Sequence, residues 1–407
     1  MKRGSKHTAM RLDNRRNRIL SICCGAHAIQ DGLSAALYVL LPVLAQAFGL
    51  SYAQVGLLRS INNGAMALLE MSTGIISERL GERNLLAFGL ICAGAGYLIL
   101  ALADGIWGLA ACLFVVGVGG AFQHALSSSI ISRAFESEGR RGALGLYNSS
   151  GDAGKLLFTG LFSLAMGIGV AWQGAVAAFG AAALMGAAII FFVLVIAAAG
   201  GPRLSGNSKI QNAKLGWGIQ NKTEFVGLCA SVFLDTAIQA GFLTFLAFFL
   251  AEKDVPMSYA TLAVTLTLVG GVFGKAACGF LAERIGTRMA FALVQGLTAC
   301  GIVALLYVEK TLAFVLLPVL GMFLQGSTSI TYGVVGDIVH ADRLSRGFAL
   351  IYSVSSLSGL LGPIFFGVLG DNFGIETAMF AMALISMLAI LPITFLQSQV
   401  NVHTGKT

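Results

Sequence analysis

Charge is what this chain lacks. Only 11% of its 407 residues are Asp, Glu, Lys or Arg, against 57% hydrophobic, and mean hydropathy is +0.83. So little polar surface cannot coat a body of this size in water, which excludes a soluble globular protein and leaves lipid as the solvent. Polar connecting sequence is scarce too: the stretch from Gly200 to Lys222 is the only extended polar linker. Other absences exclude whole functions. No glycine-rich loop follows a strand or ends in Lys-Ser/Thr, so no nucleotide cradle is expected. No nucleophile with a base and no usable acid pair is visible, so neither an enzyme nor a cofactor is expected. The seven cysteines (Cys23, Cys24, Cys92, Cys112, Cys229, Cys278, Cys300) lie in apolar stretches without metal-ligand spacing and read as packing residues, with no metal site. The net charge of +7 does not indicate nucleic acid, because basic residues do not interleave with aromatics on one face.

Apolar runs are what the chain has instead. A bilayer crossing takes roughly 20 apolar residues at about 1.5 Å each. Such runs fall at about 19–46, 53–77, 85–103, 107–131, 143–168, 171–198, 223–250, 259–282, 289–307, 311–338, 347–369 and 376–397. Twelve transmembrane helices are therefore expected, an all-α integral membrane fold. Basic residues collect in the N-terminus and the even-numbered connections, while the other connections hold only Lys253 and Lys310. By the positive-inside rule both termini are cytoplasmic, in the cell (inner) membrane. The apolar run behind the basic N-terminus is too long for a signal-peptide core, so it reads as a retained first helix.

The sequence also says one thing twice. Gly74-Ile75-Ile76-Ser77-Glu78-Arg79-Leu80-Gly81-Glu82-Arg83 returns 205 residues later, from 74 to 279, as Gly279-Phe280-Leu281-Ala282-Glu283-Arg284-Ile285-Gly286-Thr287-Arg288. The same offset carries Arg141 onto Arg346 and Tyr147 onto Tyr352, and an offset of 204 carries Asp31 onto Asp235. A repeat of half the chain is a duplicated half, as in transporters built from two parallel six-helix halves. The expected organisation is a basic segment at 1–18, a six-helix half at 19–198, a cytoplasmic linker at 199–222, a second pseudo-symmetric half at 223–397 and a tail at 398–407.

In each copy the first Gly lets backbones approach, an acid and an arginine flank the turn, and the second Gly permits a sharp reversal. A charge clamp at the cytoplasmic face is expected from Gly74, Glu78, Arg79, Gly81 and Arg83, and from Gly279, Glu283, Arg284, Gly286 and Arg288. The pattern resembles the signature loop of the major facilitator superfamily, with Glu78 and Glu283 where that loop has aspartate. Across nearly the whole chain this resemblance implies a secondary transporter working by alternating access. His27-Ala28-Ile29-Gln30-Asp31, the stretch Gly49 to Leu58, and Phe122-Gln123-His124 resemble the fosmidomycin-resistance branch of proton-driven efflux pumps. Ala125 and Leu126 stand where that branch has Pro-Glu.

Ionisable residues inside a span cost several kcal/mol unless they meet a partner or water, so they are candidates for function. His27 and Asp31, four apart, share a helix face. A carboxylate one turn from an imidazole suits proton loading near neutral pH, and helix packing is the alternative. Lys155 and Asp235, at similar depth to Asp31, are expected at a midplane substrate site, where a cation suits an anionic group such as a carboxylate or phosphonate. Neutralisation of Asp31 or Asp235 by Lys155 is the alternative. His124, Tyr147 and Tyr352 could line the same site. Asp152 is expected to pair with Lys275 as a cytoplasmic gate, because the resemblance implies that helices five and eight are neighbours. Glu70 could pair with His124 or simply pack.

These features point to a carrier of a small, possibly anionic molecule, driven by protons and acting as a monomer in the bilayer. Efflux is the first expectation from the branch resemblance. Proton-linked uptake of an organic anion and a non-transporting sensor are the alternatives.

Overall fold

In the computed structural model the described residues are 2–135, 139–202, 217–340 and 344–396, with side chains described from residue 14. Most of the central linker and the C-terminal tail lie outside them. The described chain is helical, and its only β feature is an isolated bridge between Ile219 and Val339.

Twelve helical stretches follow one another: α1 (Lys2–Phe48), α2 (Tyr52–Leu80), α3 (Glu82–Leu100), α4 (Ile106–Ala134), α5 (Arg140–Gly167) and α6 (Trp172–Ile196), then α7 (Lys222–Glu252), α8 (Met257–Ile285), α9 (Thr287–Tyr307), α10 (Lys310–Ile338), α11 (Leu344–Phe373) and α12 (Ile375–Ile393). Residues 121–122 form a turn inside α4, and residue 389 one inside α12. Ten of the twelve are long and apolar enough to cross a bilayer. The other two, α2 and α5, carry dense charge: Arg59, Glu70, Glu78 and Arg79 in one, Arg140, Arg141, Asp152 and Lys155 in the other. The expected basic segment at 1–18 is not separate, since its backbone continues α1. Its Arg15 donates to the carbonyls of Ala197 (2.7 Å) and Ala198 (3.2 Å). A cation thus closes the exposed C-terminal end of α6, where the helix dipole favours it.

Contacts group the chain into two compact units, Met1–Leu40 with Ile61–Ser208, and Leu41–Ser60 with Lys209–Thr407. In the first, Leu85, Leu90, Phe122, Ile130, Ile190 and Leu194 form a buried core. Helices come close where glycine removes the side chain. A Cβ on Gly94 would lie 2.8 Å from the carbonyl oxygen of Gly180, and one on Gly180 2.7 Å from that of Gly94. On α5, a Cβ at Gly154 would overlap the backbone of Ala28 in α1. This contact draws α5 against α1, and Lys155 is the next residue.

In the second unit, Phe225, Leu228, Phe291, Val294, Val335 and Ile351 are buried together. Gly270 and Gly274 of α8 and Gly321 of α10 sit against the backbones of Pro318, Met322 and Thr267, a small-residue seam typical of membrane helices. The start of α2 belongs to this unit. Asp371 accepts hydrogen bonds from Ser51 Oγ (2.7 Å), Tyr52 N (2.7 Å) and Ala53 N (2.9 Å), capping free N–H groups of α2. Tyr52 donates its hydroxyl hydrogen to Glu252.

Candidate functional site

The densest polar cluster lies in the first unit around Asp31, on α1. His27 precedes it by one helical turn, with Nε2 3.5 Å from Asp31 Oδ2. His124 of α4 brings its Nε2 to 3.6 Å from Oδ1, and Lys155 of α5 its Nζ to 3.2 Å from Oδ2. Lys155 also donates to Asp152 Oδ1 at 3.1 Å, three residues back on its own helix. Asp31 and His27 are buried, whereas the His124 side chain is 45% exposed and so offers the cluster a face to the outside.

Why α5 delivers Lys155 here is visible in its small residues. Gly151 lies under the His27 ring, where a Cβ would be 2.6 Å from Cε1, and Gly154 meets Ala28. Larger residues at either position would push the ammonium away from the carboxylate.

Hydrogen bonding fixes the state of His27. Its Nδ1 is 2.8 Å from the carbonyl oxygen of Tyr147, which can only accept, so Nδ1 carries hydrogen. Nε2 is buried and has no hydrogen-bond partner among the described residues; it lies 3.5 Å from Asp31, and the His124 ring stands edge-on to His27 with centroids 5.1 Å apart. In the neutral ring Nε2 would turn a lone pair toward a carboxylate. Tyr147 supports the arrangement: its buried ring stacks on His27 at 4.1 Å, and its hydroxyl donates to the carbonyl of Gln123. It is buried against His27.

Taken by themselves, the five side chains are two acids, one ammonium and two imidazoles. Asp31 and Asp152 against Lys155 sum to −1 with both imidazoles neutral, and two added protons make +1. Ligand atoms of His27, Asp31 and His124 also lie within 4.8 Å of one another, a metal-like spacing. The ammonium of Lys155 at the same carboxylate opposes a second cation there.

Of the two readings for Lys155, neutralising Asp31 is the one the geometry displays. His124 meets Asp31, and Glu70 pairs with no described residue, so packing describes Glu70. The pair expected between Asp152 and Lys275 would join the two units; within its own unit Asp152 holds Lys155.

Asp235, the repeat equivalent of Asp31, has a different setting in the second unit. It is buried on α7 and accepts from Gln295 Nε2 of α9 (2.6 Å), Gln239 Nε2 (2.9 Å) and Ser327 Oγ of α10 (2.9 Å). Gln295 and Ser327 escaped sequence reasoning, because single polar residues on other helices carry no spacing signal. Tyr352 is half-exposed and packs edge-on against Tyr332, with ring centroids 5.3 Å apart.

In the repeated loops, Gly81 and Gly286 adopt φ of +85° and +83°, the reversal expected of the second glycine. Gly74 and Glu78 lie in α2 with side-chain positions outside the described part. Arg79, Glu283 and Arg284 are exposed, and the Arg284 guanidinium lies 4.4 Å from the Phe280 ring centroid. Arg83 bonds through its backbone N–H to the carbonyl of Gly200 (2.8 Å), and the side chains of Arg83 and Arg288 are partly buried beside the turns. The ion pair that closes the first loop is one the sequence did not suggest: buried Glu82 with Arg133 of α4, joined by Ser129 Oγ at 2.8 Å.

Ten spans long and apolar enough to cross a bilayer, with buried charge between them, define a polytopic membrane protein. The sequence profile of the Major Facilitator Superfamily matches residues 23–260 and 228–405. The chain belongs to that superfamily and is a multi-pass membrane protein of the transporter type. It is 26% identical over 396 residues to the uncharacterized MFS-type transporter YfnC of Bacillus subtilis, covering 92% of this chain and 90% of that one. To human monocarboxylate transporter 11 it is 26% identical over 376 residues, covering 88% and 77%. Among solved structures, the bacterial homolog of the human lysosomal transporter Spinster, inward-facing and unoccupied, superimposes with a TM-score of 0.79 at 19% identity, covering 94% of this chain and 97% of that one.

Proposed function

We propose that this protein is a proton-coupled secondary transporter that moves a small organic anion across the cell (inner) membrane by alternating access, with both termini cytoplasmic. The observation that carries the reading is the gathering of His27, His124 and Lys155 around Asp31, a cluster whose charge two protons on the imidazoles would reverse. With His27 and His124 neutral the five side chains repel an anion. With both protonated they attract one, and the exposed ring of His124 is where a carboxylate or phosphonate first makes contact. Asp31 stays ionised beside Lys155 and holds the imidazolium of His27 in place. Proton and anion then bind together, which favours movement in one direction, as in proton-linked uptake; the relative named for monocarboxylate transport supports this. Proton-driven efflux is the second reading, favoured by the likeness of His27 to Asp31 and of Phe122 to His124 to the fosmidomycin-resistance branch. Asp152 and Lys275 serve as a gate in either direction.

Binding measured against pH tests the charge argument. Affinity of the purified protein for the responsive members of a panel of small carboxylates and phosphonates should rise at least tenfold as pH falls through the imidazole range, around 6.5. In His27→Gln plus His124→Gln the slope should vanish. Binding that is equally tight at pH 5 and pH 8 in the native protein contradicts it.

A further inference from the structure

We propose that Asp235 is a proton-binding carboxyl, separate from the Asp31 cluster and held by a hydroxyl that can reverse its hydrogen bond when the proton arrives. Asp31 and Asp235 are equivalent in the repeat, but only the first meets cations. Among the described residues every group that touches Asp235 is uncharged: Gln239 on its own helix, Gln295 on α9 and Ser327 on α10, with Thr328 beside Gln239. Titratable side chains on the packed helices lie elsewhere: Lys275 and Cys278 on α8, Arg288 on α9, Tyr332 and Asp337 on α10, Tyr352 and Asp371 on α11, and Glu376 on α12. None is bonded to Asp235. A buried carboxylate without a counter-ion carries the full cost of its charge, and a proton removes it.

The site can also bond the protonated form. Ser327 Oγ lies 2.9 Å from both carboxylate oxygens and 3.2 Å from the carbonyl of Leu324. With Asp235 ionised, the hydroxyl donates to the carboxylate. With Asp235 protonated, the carboxyl O–H donates to Ser327 Oγ, whose own hydrogen turns to the Leu324 carbonyl. Both states are satisfied by rotating one hydroxyl.

Gln295 presents Nε2 to Asp235, with its Oε1 beside Ser386 Oγ, which also lies 3.0 Å from the Gln295 backbone carbonyl. Gln239 and Thr328 are partly exposed, which gives the proton a way in.

The inference deepens the proton-coupled reading, yet its test needs no transport. Infrared difference spectra of the full chain in liposomes, taken over a pH series, report protonated carboxyls by their C=O stretch. The native protein should show a carboxylic acid band at pH values where exposed carboxylates are ionised. That band should be lost in Asp235→Asn and kept in Asp31→Asn. Ser327→Ala, which removes the strongest reversible donor without touching the carboxyl, should move the midpoint upward by about one pH unit. A band that survives in Asp235→Asn, a midpoint unmoved in Ser327→Ala, or no such band in the native protein overturns the inference. If the band behaves as stated while no substrate moves protons, the transport reading fails and the assignment of Asp235 stands.

Discussion

Lys155 stands between two carboxylates, 3.2 Å from Asp31 and 3.1 Å from Asp152, and a single ammonium serves both. Removing it leaves two negative charges in a low-dielectric setting. Breaking a buried pair costs about 3–5 kcal/mol, and the 30% exposure of the Lys155 side chain places this case at the lower end. Lys155→Ala should therefore lower unfolding stability in detergent by about 3 kcal/mol, and adding Asp31→Asn with Asp152→Asn should restore more than half of it. A neutral Lys155→Ala would show that the ammonium does not hold these acids. At this scale the sequence was readable mainly along one helix, the pairing of Lys155 with Asp31 having been one of two alternatives. Four-residue spacing put His27 on the face of Asp31, and three-residue spacing put Asp152 on that of Lys155. The partners contributed by other helices, His124 at Asp31 and Gln295 and Ser327 at Asp235, depend on how each helix is rotated about its axis, which hydropathy does not encode.

Helix rotation is set by small residues, and α5 is the informative case. Gly151 and Gly154 let α5 lie against α1, whereas Gly145, on the same helix, has nothing within 4 Å of where its Cβ would be. Gly154→Ala should cost about 1–3 kcal/mol of stability through overpacking and reduce transport further, since it pushes Lys155 from Asp31. Gly145→Ala should change stability by less than about 1 kcal/mol, because only helix propensity is altered. Equal effects of the two would mean that the close approach of α5 to α1 is not what builds the site. The helices themselves were legible. All twelve expected runs correspond to helical stretches, because twenty apolar residues have few other fates in lipid. What hydropathy could not show was the backbone of α1 continuing through the basic segment to Lys2, or the loop-closing pair of Glu82 and Arg133, since polar residues at helix ends look alike in sequence.

Duplication is the property of the whole chain, and it was the clearest signal in the sequence. Gly81 and Gly286 hold the same left-handed turn in both copies, and Asp31 and Asp235 occupy equivalent places on α1 and α7. Yet the two carboxyls have diverged, one set among cations and imidazoles, the other among neutral amides and a hydroxyl. The superfamily fixes the fold, and the charge cluster on α1 and α5 supports coupling to protons. The most direct measurement is proton movement by the full chain in liposomes loaded with a pH dye, on addition of small carboxylates and phosphonates. The native protein should give a substrate-triggered pH change in the direction of anion movement, and Asp31→Asn should lose it while still binding. Substrate exchange without any proton movement in the native protein would contradict the account.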